Sequence, residues 1–256
     1  MFVKRNVSSY PDWLVKEAKG LVLLKQHLQA SSNRLIQVPN VIDVSERSMG
    51  LEHVTQGAEG SVFWRKLAQG LAGLHGVTSD EFGLCFDNYI GLTPQVNTLC
   101  SNWGRFFFES RLLYQANRIR SQRFCGQVQS VLEALADPIM ALLNSEVVQP
   151  SLVHGDLWRG NVLCDERQTP WLIDPACYFG DAESDLAMAE LFGGFAQVFF
   201  DEYHRLRPRS AAYEGKCLLY QHYHLMNHYN IFGDHYRGDV LTQLQRLSEW
   251  LEGSCA

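Results

Sequence analysis

Two short apolar runs, Pro150-Ser151-Leu152-Val153 and Trp171-Leu172-Ile173, bracket a stretch that neither a helix nor a continuous strand can absorb. Between them lies His154-Gly155-Asp156-Leu157-Trp158-Arg159-Gly160-Asn161, followed by a third brief run, Val162-Leu163-Cys164. Short apolar runs closed by Gly, Asp or Asn read as strands and turns. The centre of the chain is therefore predicted to be a set of brief strands holding one polar loop, and the fold must build its remaining core around that loop.

The surrounding sequence supplies helices for this purpose. Phe63, Leu67, Leu71 and Leu74 recur at the spacing of one buried helical face before Gly76 ends the pattern. Residues 101–120 and 125–144 read as long helices, and helical patterns resume from about Asp185, Pro208 and Gly238. Ahead of residue 55 the pattern is different. Phe2 to Asn6 reads as a strand, and Ser9-Tyr10-Pro11-Asp12 signals the start of a helix that runs to about Leu28 and carries Glu17. Val41-Ile42-Asp43-Val44 and Met49 to Val54 then read as a hairpin. The expectation is an α+β chain of two lobes, a small sheet-plus-helix lobe over residues 1–55 and a large, mainly helical lobe over residues 56–256.

Composition narrows the partners. With 28 acidic and 22 basic residues the formal charge is -6, which argues against a nucleic-acid-binding surface. Seven cysteines, Cys85, Cys100, Cys125, Cys164, Cys177, Cys217 and Cys255, form no C-x-x-C pair and fit a reducing, cytoplasmic setting. The N-terminus has no apolar core of a signal peptide, and no uncharged stretch is long enough to span a bilayer, so no membrane partner is expected.

His154, Asp156 and Asn161 reproduce the H-x-D-x-x-x-x-N spacing of a protein-kinase catalytic loop. Asp174 follows the Trp171-Leu172-Ile173 run, as a kinase's metal-binding Asp follows a strand. A transferring phosphoryl group spreads negative charge over its oxygens, so carboxylate and amide oxygens are needed to hold Mg2+ beside it. Asn161 and Asp174 can hold the metal, and Asp156, expected to stay ionised near neutral pH, can take the proton of an attacking hydroxyl. Lys4 on a strand and Glu17 on the next helix fit the ion pair that positions ATP phosphates, and Glu52-His53-Val54 falls where a lobe connection would offer backbone groups to adenine. Trp158 either stacks on a sugar-like substrate or packs the loop down. His222, His224 and His228 sit among Tyr220, Tyr223, Leu225, Met226 and Tyr229, which favours an aromatic-rich packing helix over zinc.

Longer segments carry a more specific likeness. Val153 to Asn161, Ile173-Asp174-Pro175-Ala176-Cys177-Tyr178-Phe179-Gly180-Asp181, Asp185-Leu186-Ala187-Met188 and Glu190-Leu191-Phe192-Gly193-Gly194-Phe195 resemble the fructosamine kinase family, also called ketosamine-3-kinases. Phe82-Gly83, Asn88-Tyr89-Ile90-Gly91, Gln95-Val96-Asn97 and Trp103 with Phe106-Phe107 extend the resemblance. It implies a two-lobed, protein-kinase-like fold close to aminoglycoside and choline phosphotransferases. It also implies ATP- and Mg2+-dependent phosphorylation of a ketosamine 3-hydroxyl, on a small molecule or a glycated protein, leading to deglycation. By this likeness Asp156 is the base, Asn161 and Asp174 are metal ligands, Lys4 with Glu17 positions phosphates, and His154 and Trp158 belong to the substrate side.

The resemblance has a gap. Members of the family carry a glycine-bearing turn ahead of the lysine strand, whose backbone N–H groups cover the nucleotide phosphates. Here Val3-Lys4 stands at the start, which is expected to reflect a misassigned start codon and to weaken ATP binding in this chain. The rival readings are a phosphotransferase for another small hydroxyl acceptor, aminoglycoside- or choline-like, and a silent, pseudokinase-like binding protein.

Overall fold

The computed structural model describes residues 1–254, so Cys255 lies outside the described residues. Strand β1 (Phe2–Arg5), helix α1 (Trp13–Ala30), β2 (Val41–Val44) and β3 (Ser48–Leu51) come first. The strands form one antiparallel sheet in the order β1-β3-β2, with Lys4 opposite Met49. Helix α1 buries Trp13, Leu14, Ala18, Leu21, Leu24 and Leu28, a repeat of three and four residues that turns one face to the core.

The chain then becomes helical. Helix α2 (Ser61–Leu74) buries Phe63, Leu67, Leu71 and Leu74, the face that the spacing predicts. A hairpin of β4 (Asn88–Ile90) and β5 (Thr93–Gln95), not anticipated as strands, follows. The helix expected over 101–120 is present as α3 (Trp103–Phe107), a π-helical turn over Phe108–Leu113 and α4 (Tyr114–Asn117). The π turn carries Arg111 into the interior, where it is fully buried over the rings of Tyr178 and Phe106, 4.1 and 4.7 Å away. Its guanidinium donates to the Val96 carbonyl and, at 2.7 Å, to Asn97 Oδ1, so its charge is hydrogen-bonded inside the fold.

The helix expected over 125–144 is two helices, α5 (Gln122–Ala134) and α6 (Ala136–Leu143). Leu135 leaves the helical region at φ -100° and ψ 10°. Pro138 accounts for the break: it has no N–H to give to Ala134, a defect tolerated only in a first turn. Next come β6 (Ser151–Val153), β7 (Val162–Cys164), β8 (Pro170–Leu172) and β9 (Tyr178–Gly180). Strand β6 pairs with β9 and β7 with β8, all antiparallel, so the polar loop leaves one two-stranded ribbon and enters another. Helices α7 (Glu183–Leu191), α8 (Gln197–Leu206), α9 (Tyr213–Phe232) and α10 (Arg237–Ser254) complete the fold. Helix α8 and strand β9 were not foreseen.

Helix α9 runs through the core. Tyr220 meets Trp103 and Phe107, and Tyr229 meets Phe124. His222 is fully buried and neither ring nitrogen has a partner, while His224 Nδ1 is likewise unpartnered. Burial alone pushes His222 down to about 4, and with help from His228 it pushes His224 down to about 3. A base whose folded pKa is depressed adds nothing above its unfolded value and costs stability as pH falls from about 6.5 toward the folded value, at up to about 1.4 kcal/mol per pH unit. The prediction is that these histidines make the protein less stable at pH 5 than at pH 7, and that His222→Phe, which keeps a flat ring without a proton site, raises the melting temperature at pH 5 relative to that at pH 7. An unchanged pH slope in the variant would refute this account.

Candidate active site

The loop after β6 is held from behind by buried hydrogen bonds. Asp185, in the first turn of α7, accepts the backbone N–H groups of His154 at 2.7 Å and Gly155 at 2.8 Å. His75 Nε2 lies 3.1 Å from the same carboxylate, and His75 Nδ1 lies 2.6 Å from the Tyr203 hydroxyl. Burial opposes the Asp185 charge, but the His75 bond and the loop N–H groups prevail and hold its pKa below the usual value. Gly155 has φ +82°, and a Cβ there would lie 2.2 Å from the Ala176 carbonyl oxygen. Only glycine allows the loop to approach the segment after Asp174 that closely.

His154 is fully buried, with Nε2 3.0 Å from the Ile173 carbonyl and Nδ1 accepting the Asp156 N–H at 3.3 Å. Burial lowers its pKa, so the neutral ring donates through Nε2 and accepts through Nδ1. It does not line the cavity described below. The ring joins the loop to the Asp174 segment.

Asp156, Asn161 and Asp174 meet Lys4 and Glu17 at a cavity of about 210 Å3. Asn161 Nδ2 donates to the Asp156 carbonyl at 2.9 Å and to Asp156 Oδ2 at 3.1 Å. Burial pushes the Asp156 carboxyl up to about 7 against the pull of the Asn161 amide. This modifies the expectation of a plain carboxylate, and a cation placed nearby would draw the value down. Asp174 adopts φ +53°, a left-handed conformation costly for a residue with a Cβ, and its carboxylate lies 2.9 Å from Lys4 Nζ.

Lys4 Nζ lies 2.8 Å from both Glu17 oxygens and 4.9 Å from the centre of the Trp13 ring. Burial works against its charge, but Glu17 and Asp174 outweigh it and raise its pKa. Burial also pushes Glu17 up to about 7, which would leave the pair half neutral. The two short, forked contacts identify an ammonium facing a carboxylate, so the raised lysine is the direction that describes the pair.

Trp158 packs against the loop and also faces solvent. A Cβ on Gly160 would lie 2.3 Å from its ring, so the ring packs on the loop's own backbone, yet it remains 42 % exposed beside the cavity. Glu52, His53 and Val54 follow β3 outside this cavity, and the Glu52 carboxylate accepts the Asn40 N–H at 3.1 Å. Residues that sequence reasoning passed over complete the wall: Asn88 and Tyr89 of β4, and Asn227, His228, Ile231 and Phe232 of α9. His228, set aside with the packing histidines, donates from Nδ1 to the His224 carbonyl at 2.8 Å and packs among Phe192, Phe232 and Tyr236. The four-residue step from His228 to Phe232 was the available signal, since it puts both on one face of the last turns.

The donor set suits a hard divalent cation. The amide of Asn161 spends its N–H groups on Asp156, which leaves its oxygen for a ligand, and one Asp174 oxygen is not engaged by Lys4. An amide oxygen and a carboxylate oxygen are hard donors, so the fit is to an oxygen-seeking ion completed by phosphates and water.

Comparison with known proteins follows the same line. The family model described as fructosamine kinase matches residues 1–249. The chloroplastic protein-ribulosamine 3-kinase of Arabidopsis thaliana is 36% identical over 249 residues, 94% of this chain and 74% of the relative. A crystal structure described as a "putative fructosamine-3-kinase" from Thermobifida fusca superposes with a TM-score of 0.81 at 28% identity, covering 97% of this chain and 85% of that one. The choline kinase of Streptococcus pneumoniae, at 15% identity and a TM-score of 0.60 over 98% and 85% of the two chains, shares the fold.

Two outcomes test the geometry directly. Asp185→Ala removes the acceptor of buried N–H groups and is expected to cost about 3–5 kcal/mol in thermal or urea unfolding; a loss below about 1 kcal/mol would contradict the anchoring role. Gly160→Ala is expected to lift the Trp158 ring into solvent and red-shift its emission. The same substitution in a Trp158→Phe background should leave the emission unmoved, and a shift there would assign the effect elsewhere.

Proposed function

The chain belongs to the fructosamine kinase family, and from that premise we propose how its residues transfer the γ-phosphoryl group of ATP to the 3-hydroxyl of a ketosamine. The observation that supports this most is the convergence of Asp156, Asn161, Asp174 and the Lys4–Glu17 pair on one cavity, from β1, α1, the loop between β6 and β7, and the open end of the β7–β8 ribbon.

Asp156 is the base. It takes the proton of the acceptor hydroxyl as the hydroxyl oxygen bonds to the γ-phosphorus and the bond from that phosphorus to the bridging oxygen of ADP breaks. Asn161 orients Asp156 through its amide while its oxygen faces the metal position with Asp174. Mg2+ bound there would supply positive charge to the phosphate oxygens. Lys4, kept cationic by Glu17, turns its ammonium to the ATP phosphates, and the Glu17 carboxylate fixes its reach. Backbone groups of Glu52, His53 and Val54 hold adenine, and Trp158 covers the sugar at the mouth of the cavity.

The acceptor is a ribulosamine- or fructosamine-type adduct, on a small amine or on a protein lysine, and phosphorylation at the 3-oxygen prepares it for loss of the amine. A reducing, cytoplasmic setting accords with the described cysteines, all of which are free. Among the described residues no helix is long and apolar enough to cross a membrane. The division into a nucleotide-binding part over 1–55 and a catalytic and substrate-binding part over 56–256 belongs to the same reading.

Incubation with ATP, Mg2+ and ribulosyl- or fructosyl-amines should yield ADP and a phosphorylated adduct. Asp156→Asn is expected to lower kcat by about 10²–10⁴-fold with little change in KM for either substrate. Lys4→Met and Glu17→Gln should raise KM for ATP. Full turnover by the Asp156→Asn protein would overturn the assignment of the base.

A further inference from the structure

A second concavity, of about 250 Å3, adjoins the catalytic cavity. Ile231 of α9 lines both, and Leu92, next to the cavity-lining Gly91, belongs to the second. Tyr10, on the wall of the second, stacks obliquely on Tyr89, on the wall of the first, with ring centres 5.2 Å apart. One layer of side chains thus separates the two spaces.

The chemistry of the second space differs from that of the first. Arg118 and Arg120 line it together with Ser8, Ser9, Thr93 and Asn230, and no aspartate or glutamate does. Arg118 is half-buried at the end of α4. Its guanidinium reaches only neutral phenols, Tyr10 Oη at 3.3 Å and Tyr114 Oη at 3.4 Å, and it faces the Tyr114 ring at 5.6 Å. Among the described residues neither Arg118 nor Arg120 has a carboxylate partner within 4 Å, whereas the Lys4 and Lys216 ammonium groups each have two. In a chain of net charge -6, two arginines brought to one hollow without counter-charge are arranged to receive it from outside.

We propose that this hollow binds an anionic group, a carboxylate or a phosphate, carried by the ketosamine away from the hydroxyl that is phosphorylated. The inference rests on the ketosamine reading above and adds an acidic substrate class to it. Arg118 is the principal specificity-determining residue, pre-positioned by Tyr10 and Tyr114, and Arg120 adds charge at the rim. The tyrosines fix the planar guanidinium without neutralising it, which leaves its fork free to grip two oxygens. None of Asp156, Asn161 and Asp174 lines the hollow, so the contact acts on binding and not on proton transfer.

Three acceptors of one sugar test this: a ribulosyl adduct of propylamine, the same sugar on β-alanine, and the propylamine adduct bearing a 5-phosphate. The first is neutral apart from its amine, the second places a carboxylate on the amine side, and the third places a phosphate on the sugar side. At least one acidic acceptor should show a kcat/KM about tenfold above the neutral one, the gain lying in KM and shrinking with added salt. Whichever acid gains identifies the source of the anion. Arg118→Gln should abolish the gain, so that the ratio of acidic to neutral kcat/KM in the variant falls to about one. Arg120→Gln, at an exposed position whose guanidinium has no carboxylate partner among the described residues, should reduce it in part without disturbing the fold. Equal kcat/KM on all three acceptors, or a gain that survives both substitutions, overturns the inference and leaves the ketosamine reaction standing. Failure to turn over any of the three overturns that reaction and this inference together.

Discussion

The buried carboxylate of Asp185 is the constraint on which the site depends. A loop rich in glycine and polar side chains has little reason to hold one shape, because its backbone N–H groups can be satisfied equally well by water. Asp185 gives the N–H groups of His154 and Gly155 a fixed charged acceptor inside the core, and His75 and Tyr203 supply donors behind it. With its first two residues fixed, the loop can use Gly155 to lie against Ala176, so that Asp156 and Asp174 come to face one cavity.

Lys4 performs the corresponding task for the first sheet. It is the one side chain of β1 that bridges to Glu17 on α1 and to Asp174 beyond β8, so a single ammonium ties the strand, its helix and the loop region together. The bond to Asp174 is also the contact that a phosphate and a cation would rearrange, since each offers one member of the pair a stronger partner. Structural cohesion at this end of the cavity thus rests on three residues, the same three to which the proposed function gives nucleotide handling.

Much of this was legible in the sequence where one pattern had one structural meaning. The Phe63-to-Leu74 repeat could only be a buried helical face, and the spacing of His154, Asp156 and Asn161, with Asp174 after the next strand, pointed to the kinase chemistry of the family. Other features escaped because their signal is not local. The break at Leu135 follows from Pro138, yet apolar residues continue on both sides and mask it. Strand β9 holds only Tyr178-Phe179-Gly180 and exists because β6 pairs with it. The place of the His154 ring is of the same kind: its spacing marks the loop, but only packing shows that the ring faces the Ile173 carbonyl. Asn88, Tyr89, His228 and Phe232 reach the cavity from a hairpin and a helix far apart in sequence, and nothing in either segment alone indicates that they meet.

The account stands or falls on where the phosphate goes. Phosphorus and carbon NMR of the product formed from ATP and a ribulosyl- or fructosyl-amine should show a single phosphomonoester coupled to carbon 3 of the sugar, in step with ADP release. A phosphate on any other oxygen, or ADP formed with no phosphorylated adduct, would contradict it.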